Sequence, residues 1–151
     1  QQEERIKVEA PDGASIGPVD GNAGVWEATI FGPPETLWDG GMFSVEILFP
    51  PDFPEAPPFV RFVTSIFHPQ ISPSGVPYLR SLVLWHCCEP KERTVGALLS
   101  QLIELLARDP SPEPVTHLNL DAAGLHFSRS DDDKKEYKRQ VKKRVQRSMD
   151  G

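Results

Sequence analysis

The side chains of this 151-residue chain best suited to covalent chemistry are its only two thiols, Cys87 and Cys88. A thiolate is the strongest nucleophile a side chain offers near neutral pH, and a neighbouring cation lowers a thiol pKa. His86 precedes the pair and Lys91 follows it, although adjacency in sequence does not establish proximity in space. Adjacent cysteines rarely join in a disulfide, because the small ring that results is strained. Two unpaired thiols fit a reducing compartment, the cytosol or the nucleus. His86, Cys87 and Cys88 have no second Cys/His pair at ligand spacing, so neither a metal nor another cofactor is expected.

The charges are distributed unevenly. Residues 134–151 hold eight basic and two acidic side chains, a balance of +6, while the rest holds eight basic and twenty acidic, a balance of −12. A basic terminal helix can meet nucleic acid or an acidic surface, or can be a solvated face that balances an acidic body. No aromatic or Gly-rich recognition pattern accompanies it, which argues against nucleic acid. No run approaches the roughly 20 apolar residues needed to span a bilayer, and no signal-peptide pattern appears.

Sixteen clustered prolines argue against a helical bundle and for strands ended by rigid turns. Residues 1–9 read as the last turns of a helix. Residues 11–13 and 17–22 read as turns, and residues 25–31, rich in β-branched and aromatic side chains, as a strand. Phe43, Val45, Ile47 and Phe49 share one face of a second strand, and residues 59–64 form a third. Short links between them predict an antiparallel meander. Residues 68–93 show no periodicity. Leu98, Leu99, Leu102, Ile103, Leu105 and Leu106 recur at helical spacing within 94–108, with Thr94 as a cap and Asp109-Pro110 as a stop. Residues 118–127 predict a short helix and 131–149 a final one, on which Tyr137, Val141, Val145 and Met149 step by four. Strands first and helices after predict a single α+β domain over 1–151, its meander sheet flanked by helices.

Five motifs in this order resemble those of ubiquitin-conjugating (E2) enzymes: Trp26 to Pro33; Thr36 to Phe43, with Trp38 for the usual tyrosine; Phe49-Pro50-Pro51-Asp52-Phe53-Pro54-Glu55-Ala56-Pro57-Pro58; Phe67-His68-Pro69; and the helix ending in Asp109-Pro110-Ser111-Pro112. The resemblance implies the UBC fold. It implies that His68 and Pro69 are structural, with His68 tying down a loop by hydrogen bonds. It also implies a short or truncated first helix.

In that family a cysteine carrying ubiquitin as a thioester stands eight residues past the third position of His-Pro-Asn. Here that third position is Gln70 and the nucleophile position is Tyr78, flanked by the fitting Gly75 and Leu79. A phenol, ionising at about pH 10, does not replace a thiolate, so Tyr78 is read as a buried packing residue. The family asparagine steadies the oxyanion. A donor must lie within about 3 Å of that charge, and the longer stem of Gln70 misplaces it. Reading Cys87 as the nucleophile requires a rearranged loop. Glu113 falls near a family acidic position. Phe53, Glu55, Glu89 and Pro90 fall on the surface that meets E3 partners, where a carboxylate at Glu55 is costly to desolvate.

Three functional readings follow. The first is a non-catalytic E2 variant that binds ubiquitin, a ubiquitin-like protein, or an active E2 or E3. The second is an active conjugating enzyme using Cys87 or Cys88. The third is an adaptor that uses the fold outside ubiquitin transfer.

Overall fold

Phe43, Val45 and Ile47 are fully enclosed, while Ser44, Glu46 and Leu48 between them are half-buried. This period-two pattern makes β3 (Met42–Leu48) a strand with one face in the core. In the computed structural model, which describes residues 10–150, β3 pairs antiparallel with β2 (Asn22–Phe31) and β4 (Phe59–Phe62). The sheet order is β1-β2-β3-β4, a meander.

The edge strand β1 (Ala14–Val19) occupies residues that the sequence suggested were partly turn. Pro18 has no N–H to give a ladder, and an edge position tolerates that. It sits opposite Trp26, and the register shifts immediately after it. The reversal is therefore confined to Asp20-Gly21, where Gly21 takes a φ of +77°. At the other edge β4 ends at Phe62, two residues early, and the chain leaves the ladder with Thr64 Oγ1 accepting from Ser44 N (2.9 Å).

The irregular stretch holds one helical turn, α1 (Arg80–Val83), and single 3₁₀ turns at Trp85–Cys87 and Pro90–Glu92. The main helix, α2 (Val95–Ala107), starts where the Thr94 hydroxyl accepts from Ala97 N (3.1 Å). Leu98, Leu99, Leu102, Leu105 and Leu106 are buried, and the helix packs on β2. α3 (Leu120–His126) is capped by Asn119, whose Oδ1 accepts from Ala122 N (3.0 Å).

α4 (Asp131–Asp150) buries Tyr137, Val141 and Val145, but Met149 is exposed. Each four-residue step overshoots a full turn by about 40°, so after three steps the face has rotated by about 120°. Ser148 takes the inward position instead: its hydroxyl donates to Val145 O (2.6 Å) and accepts from Met42 N (3.0 Å), which ties α4 to β3. The helix expected over residues 1–9 lies outside the described residues. Among the described residues, no helix is long and apolar enough to cross a membrane.

Candidate functional site

Residues 68–78 form a small hydrogen-bonded excursion between β4 and α1. Ile71 N donates to His68 O (3.1 Å), Ser72 N to Val76 O (2.9 Å), Gly75 N to Ser72 O (2.8 Å) and Tyr78 N to Gln70 O (2.8 Å). Phe62 N donates to Gly75 O (2.7 Å), which docks the excursion on β4. Gly75 has a φ of +99°, and a Cβ there would run into the Phe62 carbonyl. The separation between Gln70 and Tyr78 is therefore fixed by paired backbone on both sides.

His68 anchors the start. It is 1% exposed, lies 5.7 Å from the Trp38 ring, and its Nδ1 accepts from Gln70 N (2.9 Å). The proton thus sits on Nε2, which closes no hydrogen bond among the described residues. Burial pushes the imidazole down to about 3, against the opposing pull of the Leu105 carbonyl. A neutral, enclosed ring holds backbone in place and cannot serve as a base at the surface. The buried Pro69 carbonyl accepts from both Leu118 N (2.9 Å) and Asn119 N (3.1 Å), joining the excursion to the start of α3.

Gln70 is 2% exposed, and its Oε1 accepts from Ser111 N (3.1 Å). Its side chain braces the loop after α2. His117 Nε2–H donates to the Ser111 carbonyl (2.8 Å) and stacks on Phe127, so Ser111 is held from both sides. Neither Ser111 nor His117 stood out as a site residue in the sequence, because their partners are set by loop closure rather than by spacing.

Tyr78 is half-buried, not the enclosed packing residue the sequence suggested. It follows Pro77 out of the excursion to the junction of two clefts. One, of about 670 Å³, is polar and lined by Gln70, Arg80, Arg108, Asp109 and Glu113 among others. The second, of about 310 Å³, is lined by apolar side chains including Phe59, Val76, Leu82 and Leu118. The phenol hydroxyl has no protein partner among the described residues. Glu113 is exposed at the rim of the polar cleft, its N–H donating to Ser111 Oγ (3.2 Å).

The two thiols lie elsewhere. Cys87 is exposed and Cys88 half-buried, both free, along a third cleft of about 380 Å³. Arg80 and Gln101 line both this cleft and the polar one, so they form the wall between Tyr78 and the thiols. Cys88 Sγ donates weakly to Leu84 O (3.4 Å) and Ser81 O (3.7 Å), and Arg93 grips the Cys88 carbonyl through Nε and Nη2. Lys91, the cation nearest in sequence, instead faces the Glu89 carboxylate at 3.4 Å. No group of three or more metal-ligating side chains comes together among the described residues.

The two loops carrying the partner candidates are joined by Trp85. Its Nε1 donates to Pro54 O (2.8 Å), and its ring lies 6.2 Å from that of Phe53. Phe53 itself turns inward against Phe49 at 4.7 Å. Glu55, Glu89 and Pro90 are exposed, and Glu89 closes a capping box with Glu92. Trp85, fully buried, is the anchor that holds this surface together.

The chain matches the ubiquitin-conjugating enzyme family model over residues 1–145. It is 40% identical over 144 residues to ubiquitin-conjugating enzyme E2 3 of Arabidopsis thaliana, covering 95% of this chain and 89% of that protein. It is 33% identical over 146 residues to ubiquitin-conjugating enzyme E2 2 of Saccharomyces cerevisiae, covering 97% and 79%. The E2 domain of a Toxoplasma gondii ubiquitin conjugating enzyme superposes with a TM-score of 0.77 at 30% identity, over 90% of this chain and 88% of that one. The four-stranded meander backed by α2 is thus the UBC fold, and with likeness running through both sequence and architecture the chain belongs to the ubiquitin-conjugating enzyme family.

Proposed function

We propose that this chain is an E2-like member of the ubiquitin or ubiquitin-like conjugation pathway that binds a modifier, or a partner E2 or E3, without carrying the modifier as a thioester. The observation that carries this reading is the pinned position of Tyr78. Backbone pairing from Gln70 to Tyr78, and from Gly75 to Phe62, leaves no slack by which a thiol could slide into that place. Cys87 and Cys88 sit beyond the Arg80–Gln101 wall, and the nearby lysine faces Glu89. The Gln70 amide oxygen, at the position where an E2 keeps its oxyanion-steadying asparagine, is occupied by Ser111 N. Free adjacent thiols support the cytosol or nucleus as its place of work.

One observation favours a second reading: Cys87 is exposed on an open cleft beside the polar one. A thioester there would make the chain an active conjugating enzyme. The deciding experiment is charging by E1 and ATP with ubiquitin, on gels with and without reductant, beside a cysteine-bearing E2. No reductant-sensitive band is expected. A band of one added ubiquitin mass that disappears in the C87S/C88S double variant would overturn the proposal. Titration of isotope-labelled ubiquitin should then shift ubiquitin resonances. Silence towards ubiquitin, ubiquitin-like proteins and charged E2 alike would favour an adaptor outside the pathway.

A further inference from the structure

α4 carries eight of the sixteen basic residues of the chain. Two are engaged: Arg139 is clamped by Glu136 at 2.6 Å, and Arg144 lies over the Phe67 ring at 5.2 Å while also bonding Gln140. Lys134, Lys135, Lys138, Lys142, Lys143 and Arg147 are exposed, with no carboxylate of the described residues at ion-pair distance. At about 100° per residue, Lys135, Lys138 and Lys142 fall within about 60° of one another, with Lys143 about 80° beyond Lys135 and Arg147 on the far side of the helix. This strip runs along the edge of the buried stripe of Tyr137, Val141 and Val145, with Lys138 about 20° from Val145 around the helix axis.

Acidic groups close the strip at both ends. Asp131, Asp132 and Asp133 fill the first turn of α4. At the other end stands Asp150, and Met149 Sδ lies 3.9 Å from where a Cβ on Gly40 would stand, next to the exposed Asp39. Between these stops the cations from Lys134 to Arg147 rise by about 20 Å. We propose that this strip docks a short acidic polypeptide segment, about six residues long, lying extended along the helix. Such a segment spans about 20 Å, and its alternate carboxylates recur about every 7 Å, close to the rise of about 6 Å between side chains one turn apart. A long polyanion, such as a nucleic-acid duplex or an anionic bilayer, would overrun the acidic stops and meet a body of net charge −12. Bilayer insertion also needs an exposed apolar helix face, and this one is buried.

The test is an amide-shift titration of the isotope-labelled full chain with hexaglutamate at about 0.15 M salt, where charges are screened beyond about 8 Å. Saturable shifts confined to residues 134–147 are expected. The triple variant K138E/K142E/K143E should bind at least about tenfold more weakly, while Lys91→Glu, an exposed lysine far along the chain from α4, should bind as before. If the triple variant loses its fold, Lys142→Gln alone should still weaken binding. Absent or scattered shifts, equal binding by the substituted strip, or tighter binding of duplex DNA or phosphatidylserine vesicles than of hexaglutamate would each overturn the proposal.

Discussion

His68 stays uncharged in the folded chain down to about pH 3, whereas in the unfolded chain it takes up a proton near its ordinary value of 6.5. Its contribution to stability is therefore whole above pH 6.5 and is lost as pH falls towards 3, because the unfolded state binds the proton first. From pH 6.5 to pH 5 the loss is about 2 kcal/mol. Urea unfolding at pH 7 and pH 5 should show a larger drop in the native chain than in His68→Asn, since His126, also lowered by burial, contributes to both. Equal drops in both would sink the assignment. The hydrogen bond from Gln70 N to His68 Nδ1 closes over two residues, a span that a short, local motif can carry. The exposure of Tyr78 was not legible, because it depends on where Pro77 aims the chain and on the clefts that α2 and its following loop leave open. Gln70 shows the limit more sharply, since its partner Ser111 lies 41 positions away.

At the scale of elements, the central strands and α2 could be read directly from periods of two and 3.6, because burial on one face imposes them. β1 could not. Its glycine and proline carry turn signals, and only pairing with β2 overrides them. The excursion bearing Tyr78 was likewise opaque, being held by backbone hydrogen bonds that leave no mark in side-chain pattern. Its weakest tolerance is at Gly75. Gly75→Ala would combine a strained φ of +99° with a Cβ driven into the Phe62 carbonyl, for a cost on the order of 2–4 kcal/mol. Gly21→Ala shares a positive φ of +77° but meets open space, so it should cost only about 1 kcal/mol. Chemical unfolding of the two variants measures the difference. Hydrogen exchange at the Phe62 amide should quicken in the Gly75 variant alone. Similar losses in both would mean that backbone strain, not contact with β4, sets the requirement for glycine.

For the whole molecule the governing quantity is the separation of charge, +6 on the C-terminal segment against −12 on the remainder. That imbalance was visible in the sequence, but its spatial form was not. α4 spreads its exposed cations over more than half of its circumference on one rigid rod, so a neighbouring molecule can present its acidic body to them. Near the pI of about 5.2, net repulsion vanishes and this attraction between molecules is unopposed. Its reach is about 30 Å at 0.01 M salt and about 8 Å at 0.15 M. Turbidity at pH 5.2 should therefore be highest at low ionic strength and should clear as salt is added, the reverse of apolar association, which salt strengthens. Reversing Lys138, Lys142 and Lys143 to glutamate removes one pole, so this variant, brought to its own lower pI, should lose most of the salt dependence. Turbidity that rises with salt in the native chain would mean that exposed apolar surface, such as the groove containing Phe59 and Leu118, governs association rather than the basic helix.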